Sequence, residues 1–189
     1  MGFTRAELAA CGDRLVPDLV GPNCRLLFVG INPGLWSAAT GAHFARPGNR
    51  FWPALYRAGI TDHLVDASSG MSDADHEYLI GRGVGITNVV ARATATAAEL
   101  SATELVVGGR HLRDRVEQIG PDVVAVARIT AYRSAFGDRR ATSGEQPERW
   151  GETRIWVVPN PSGLNAHETI DSLAAAYREV AVAAAVLAP

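Results

Sequence analysis

Four short apolar runs punctuate the chain, and each gives way abruptly to small, polar or turn-forming residues. They occupy residues 25–30 (Arg-Leu-Leu-Phe-Val-Gly), 84–90, 122–127 and 154–158. Such runs are too short for most helices, and their near-continuous Val, Ile and Leu content is the pattern of strands covered on both faces, as in a parallel sheet. Between and around them lie helical stretches at residues 50–58, about 101–119, about 130–136 and about 168–186, the last rich in alanine. A short helix is expected at residues 4–11, before Pro17, Gly21 and Pro22 interrupt the chain. The alternation predicts an α/β fold: a three-layer sandwich with a mainly parallel central sheet and helices on both faces. The polar segments 66–77 and 139–151 read as surface connectors.

With 189 residues and 47% hydrophobic content, the chain is expected to form one domain spanning residues 1–189. In open parallel sheets, ligands bind beyond the carboxyl ends of the strands. This rule places Asn32, Asn88 and Asn160, each at or just after a strand, on one rim. No Asp or Glu falls in those strand-end segments.

A net charge of -2 and a pI near 6.2 argue against a strongly basic coat, so any nucleic-acid contact must come from a local patch. All 18 basic residues are arginine. The two cysteines, Cys11 and Cys24, stand in no metal-binding spacing, and the five histidines are scattered, so neither metal nor cofactor is expected. The chain begins without a basic start followed by an apolar run, and no apolar stretch reaches the roughly 18 residues of a membrane span. The expectation is a soluble cytoplasmic monomer with no membrane partner.

Three segments carry chemistry. Gly30-Ile31-Asn32-Pro33-Gly34 follows the first strand, so an asparagine projects where proline and glycine force a turn. Residues 41–52 place Phe44, Asn49, Arg50, Phe51 and Trp52 in and just after one irregular stretch. After the last strand, Pro159-Asn160-Pro161-Ser162-Gly163-Leu164-Asn165 presents a leucine among small and polar residues.

These segments, with Gly85-Ile86-Thr87-Asn88 between them, resemble in order the motifs of the bacterial mismatch-specific uracil-DNA glycosylases and their thymine-DNA glycosylase relatives, from about residue 25 to residue 180. The resemblance implies an enzyme that flips uracil out of a guanine mispair in double-stranded DNA and hydrolyses its glycosidic bond. Asn32 matches the catalytic asparagine that positions water. Ile31, Gly34, Leu35, Ser37, Phe44 and Asn88 match the base pocket, with Phe44 stacking on the base and Ser37 beside C5 of the pyrimidine. Asn160, Ser162, Gly163, Leu164 and Asn165 match the loop that intercalates and meets the widowed guanine, Leu164 being the apolar wedge that fills the gap left by the flipped base. Asn49 and Arg50, at the start of a helix, are candidate phosphate contacts, although Asn49 is equally a helix cap. Phe51 and Trp52 read as core.

The chain departs from the family pattern twice: Ala166 stands where many relatives have an arginine two residues beyond the leucine, and Trp36 replaces a usually small residue. Two rival readings remain at the level of sequence. One is a DNA- or nucleotide-binding module that kept the fold without activity. The other is a nucleoside hydrolase, which has no use for an exposed Leu164.

Overall fold

A computed structural model describes residues 2–189. Its centre is a five-stranded sheet formed by β1 (Leu26–Gly30), β2 (Val84–Asn88), β3 (Val123–Ala127), β4 (Gly144–Trp150) and β5 (Thr153–Val158), in the order β2-β1-β3-β5-β4. β1 runs parallel to β2 and β3, and β3 parallel to β5; β4 alone is antiparallel, on the edge. The helices are α1 (Arg5–Ala9), α2 (Leu35–Thr40), α3 (Phe51–Arg57), α4 (Asp73–Gly81), α5 (Ala102–Ile119), α6 (Ile129–Phe136) and α7 (Ile170–Ala183).

Every residue of β1, β2 and β3 is buried. Strand alternation therefore feeds two cores. On one face Leu26, Phe28, Val123 and Ala125 pack with Phe51 and Leu55 of α3, Leu79 of α4, and Leu173 and Tyr177 of α7. On the other, Leu27, Val29, Val124, Val126, Ile155 and Val157 pack with Leu112 and Val116 of α5 and Tyr132 of α6. The architecture is the three-layer α/β sandwich that the apolar runs imply. Cys11 and Cys24 are both buried free thiols, and burial pushes the Cys24 thiol up to about 11. No described helix is long and apolar enough to cross a membrane.

Three elements depart from the sequence-based assignment. Segment 66–77 is not a connector throughout, because α4 begins at Asp73, capped by the Ser72 hydroxyl accepting from the Asp75 amide. Its outward polarity hides it: Leu79 is its one buried residue. Segment 139–151 contains β4, whose sequence Gly-Glu-Gln-Pro-Glu-Arg-Trp has no apolar alternation. An edge strand tolerates that pattern, and the register of β4 shifts between Glu145 and Arg149, where Pro147 could not continue the ladder. The turn at Asn32 to Gly34 leads straight into α2, which ends at Gly41 in the left-handed conformation with φ 71°.

The long helix α5 approaches the sheet rim through a glycine pair. A Cβ on Gly108 would lie 2.5 Å from the Val89 carbonyl oxygen, and one on Gly109 would lie 2.7 Å from that of Ala135. Both obstacles are backbone, which no rotamer change can relieve. Alanine normally favours a helix interior over glycine by about 1 kcal/mol, yet Gly109→Ala is expected to destabilise the protein by about 1 to 3 kcal/mol because overpacking dominates. Urea denaturation of the two proteins measures the difference. Equal or greater stability in the variant would mean that α5 can move off α6 freely.

Candidate active site

The carboxyl ends of β1, β2, β3 and β5 open onto a cavity of about 550 Å³. Asn32 follows β1, Asn88 ends β2, Arg128 follows β3 and Asn160 follows β5, and all four line this cavity. Ile31, Gly34, Ser37, Phe44, Asn49, Ser162 and Leu164 line it too. Leu35 and Gly163 do not contribute to the lining, and Asn165 faces a neighbouring cleft. No carboxylate is among the lining side chains.

Asn32 has its amide orientation fixed by the loop that follows β2. Its Nδ2 donates to the Arg92 carbonyl at 3.0 Å and to Thr94 Oγ1 at 2.7 Å. Thr94 Oγ1 spends its own proton on the Thr96 carbonyl at 2.8 Å. Both groups facing the amide can therefore only accept, which assigns nitrogen to that side and leaves Oδ1 without a bond to protein. The supporting loop is held in turn by Arg92, which pairs with Glu104 at 2.6 Å and Asp13 at 3.1 Å. The Arg92 guanidinium, with help from Ser101, holds the Glu104 carboxyl down to about 2.

Asn88 is buried against His43. The His43 Nε2 lies 2.9 Å from the Pro17 carbonyl, which can only accept, so the ring proton sits on Nε2 and Nδ1 accepts from Asn88 Nδ2 at 3.2 Å. Burial pushes the His43 imidazole below its usual range, against the opposing pull of the Pro17 carbonyl and the Asp18 charge. The Asn88 oxygen then lies over Gly30, where a Cβ would come within 2.4 Å of it. Arg115 of α5 fixes the same residue's backbone, donating to the Asn88 carbonyl at 2.7 Å while pairing with Asp18.

Phe44 stacks on Phe51, with ring centroids 4.0 Å apart and planes 20° apart, and its backbone holds φ 53°. A non-glycine residue in that region is uncommon and persists where its surroundings over-determine it. Here the Ser37 hydroxyl accepts from the next amide, Ala45, at 3.3 Å, and Trp52 Nε1 donates to the preceding carbonyl, His43, at 3.1 Å. Ser37 thus has a positioning contact of its own. Trp36 stays out of the cavity: its Nε1 donates to the Ser68 carbonyl and its ring meets Phe3 edge-on.

Leu164 is 80% exposed, on a loop whose backbone is heavily tied. Asn160 Oδ1 accepts from Ser162, Ser162 Oγ accepts from Leu164, and Asn165 Nδ2 donates to the Asn160 carbonyl. Gly163 lies so close to Gly48 that a Cβ would sit 2.5 Å from the Gly48 oxygen. The structure corrects the phosphate-contact assignment of Arg50: its guanidinium donates to the carbonyls of Glu168, Ser162 and Asn165. A planar fork surrounded by loop carbonyls is a brace. Asn49 likewise uses Oδ1 to accept from the Phe51 amide.

Sequence reasoning missed Thr94 and Arg128, which reach the site from other parts of the chain, and His43, which sits next to Phe44 but bonds Asn88. Among the described residues no group of three or more His, Cys, Asp or Glu side chains is placed to hold a metal ion.

Arg50→Ala takes donors from three loop carbonyls at once. With charged hydrogen bonds worth about 1.5 to 3 kcal/mol each and water replacing part of that at a half-buried site, a net loss of about 1 to 3 kcal/mol is expected. Amide hydrogen exchange should accelerate at Leu164 and Asn165. Unchanged exchange there would show that Asn160 and Asn165 hold the loop unaided.

A family model for the uracil DNA glycosylase superfamily matches residues 17–181. Among solved structures, the chain is similar to a candidate uracil DNA glycosylase from Methanosarcina acetivorans determined by solution NMR, with a TM-score of 0.56 and 14% sequence identity, covering 89% of this chain and 98% of that one. That likeness shows the fold, and the family match spans every strand of the sheet and the cavity at its rim. The chain belongs to the uracil DNA glycosylase superfamily.

Proposed function

We propose that this protein is a monofunctional, mismatch-directed uracil-DNA glycosylase: it flips uracil out of a pair with guanine in duplex DNA, hydrolyses the bond to deoxyribose and leaves an abasic site. The observation that carries this reading is one carboxylate-free cavity holding an outward-fixed asparagine oxygen and a stacking ring, with an exposed leucine at its mouth.

A flipped uracil stacks on Phe44, an interaction of about 1 to 3 kcal/mol. Asn88 Oδ1 offers an acceptor to the ring N3–H, which cytosine lacks. Asn32 Oδ1 accepts a hydrogen from water and holds its oxygen toward the sugar C1′. An amide is too weak a base to deprotonate that water early, so the reaction runs on departure of the base. The C1′–N1 bond breaks with its electron pair going to uracil, the water oxygen bonds to C1′, and the proton it then gives up passes through solvent to the uracil anion, which leaves as neutral uracil. Main-chain N–H groups in segment 32–35 stabilise the charge that develops on the uracil oxygens. The chain contains no lysine, so no side-chain amine is available for a Schiff base and strand cleavage.

Leu164 fills the space vacated by the nucleotide, and the main chain around Gly163 meets the guanine left without a partner. Ser37, beside C5, disfavours the methyl group of thymine.

Asn32→Ala is expected to lower single-turnover excision of uracil from a U:G duplex by at least about 100-fold while leaving duplex affinity within about 3-fold. Wild-type turnover in that variant would remove Asn32 from the mechanism. For Leu164→Ala, excision should slow by about 10- to 100-fold on duplex and far less on single-stranded DNA, since only a duplex has a stack to refill. The preference for U:G over U:A should shrink as well. Equal slowing on U:G, U:A and single-stranded oligonucleotides would show that Leu164 supports the pocket and is no wedge.

A further inference from the structure

Arg128 stands where β3 meets α6, and its backbone holds φ 120° and ψ 114°, a conformation that L side chains rarely adopt. The backbone is pinned there, because its amide donates to the carbonyls of both Val126 and Val158. Glycine is the residue that meets such a position without strain. An arginine kept there implies that the side chain contributes something other than stability.

Its surroundings say what. Arg128 is exposed, forms none of the ion pairs among the described residues, and lines both the base cavity and the adjoining cleft of about 650 Å³ beneath Leu164. Its Nε donates to Thr130 Oγ1 at 2.9 Å, which steadies the guanidinium and leaves both terminal nitrogens open. Glu168 also lines the cleft, and its Oε2 is engaged by the Ser172 hydroxyl. Arg46 lines the cavity as well, also outside every ion pair of the described residues. The Arg50 guanidinium, by contrast, is consumed by the leucine loop.

We infer that Arg128 is a DNA phosphate clamp, its two free terminal nitrogens gripping a backbone phosphate beside the flipped nucleotide, and that its strained backbone is retained for this contact. A planar fork suits two phosphate oxygens. The inference rests on the reading of the protein as a DNA glycosylase.

The test uses wild type, Arg128→Gly and Arg128→Lys with a U:G duplex carrying a non-cleavable 2′-fluorinated deoxyuridine, by fluorescence anisotropy over a range of salt concentrations, together with thermal unfolding. Arg128→Gly should raise Tm by roughly 2 to 8 °C by relieving strain. At the same time it should weaken duplex binding by roughly 10- to 100-fold and lower the salt slope by about 1. Arg128→Lys should keep the wild-type Tm and salt slope and recover only part of the affinity. Loss of affinity accompanied by a fall in Tm would make Arg128 a structural residue and overturn the clamp, as would unchanged affinity and slope in Arg128→Gly. If wild type neither binds this duplex nor excises unmodified uracil, the glycosylase reading fails and the clamp with it; if wild type does both and Arg128→Gly matches it, only the clamp fails.

Discussion

The cavity exists in its present shape because Gly30 has no side chain. At the end of β1, a Cβ would lie 2.4 Å from Asn88 Oδ1 and 3.4 Å from the tip of the Phe44 ring. Gly30 pairs in register with Asn88, so the amide of one strand end and the aromatic ring of the following loop converge on a single empty position. Adding one methyl group there would push the Asn88 amide off His43 or the Phe44 ring off Phe51, and either movement would change the shape of the site. The fully buried central strands give that point a rigid foundation: β1 is held on both sides by parallel neighbours, with a core on each face.

Four asparagine amides line the cavity, and while Asn49 and Asn160 use their oxygens on the Phe51 and Ser162 amides, the other two have committed their nitrogens. Asn32 has spent its N–H groups on Arg92 and Thr94, and Asn88 has turned its nitrogen to His43. Both therefore offer oxygen. The lining has no carboxylate to take a proton, and the one buried imidazole beside it is used on both nitrogens. On the proposed reading, chemistry in such a place relies on positioning and on stabilising a departing anion, because no carboxylate lines the cavity to act as a strong base. The arginines that line the cavity are Arg46 and Arg128, and on the proposed reading they put positive charge where a sugar-phosphate backbone would pass.

The four parallel strands and the three motif segments were legible in the sequence because they depend on local rules: continuous apolar runs for strands buried on both faces, and turn-forming residues at their ends. What escaped were features set by distant parts of the chain or by partial exposure. Thr94 stands 62 residues beyond Asn32, and nothing local distinguishes it from its neighbours in Ala-Thr-Ala-Thr. His43 looked like one of five scattered histidines until folding buried it against Asn88. The cap of α4, Ser72 with Asp75, was a visible signal overshadowed by the polarity around it. Arg50 shows the converse failure: its place at a helix start suggested an anion partner, whereas carbonyls more than 100 residues later claim its guanidinium.

That claim explains how a large apolar side chain can remain exposed on an ordered loop. Leu164 gains nothing from burial in the free protein, so the loop must be held by polar contacts that do not involve it. Arg50 supplies them from the segment that also carries Phe44, and its amide adds a bond to the Pro161 carbonyl at 2.9 Å. The close approach of Gly163 to Gly48 fastens the same two segments at a second point. Phe44 and Leu164 are consequently parts of one braced unit, and on the proposed reading their spacing is set before any nucleic acid arrives. Ordering a free loop during binding would cost conformational entropy in each immobilised residue, and a preorganised one avoids most of that loss. On the proposed reading, the binding energy of the duplex is then left for unstacking the nucleotide.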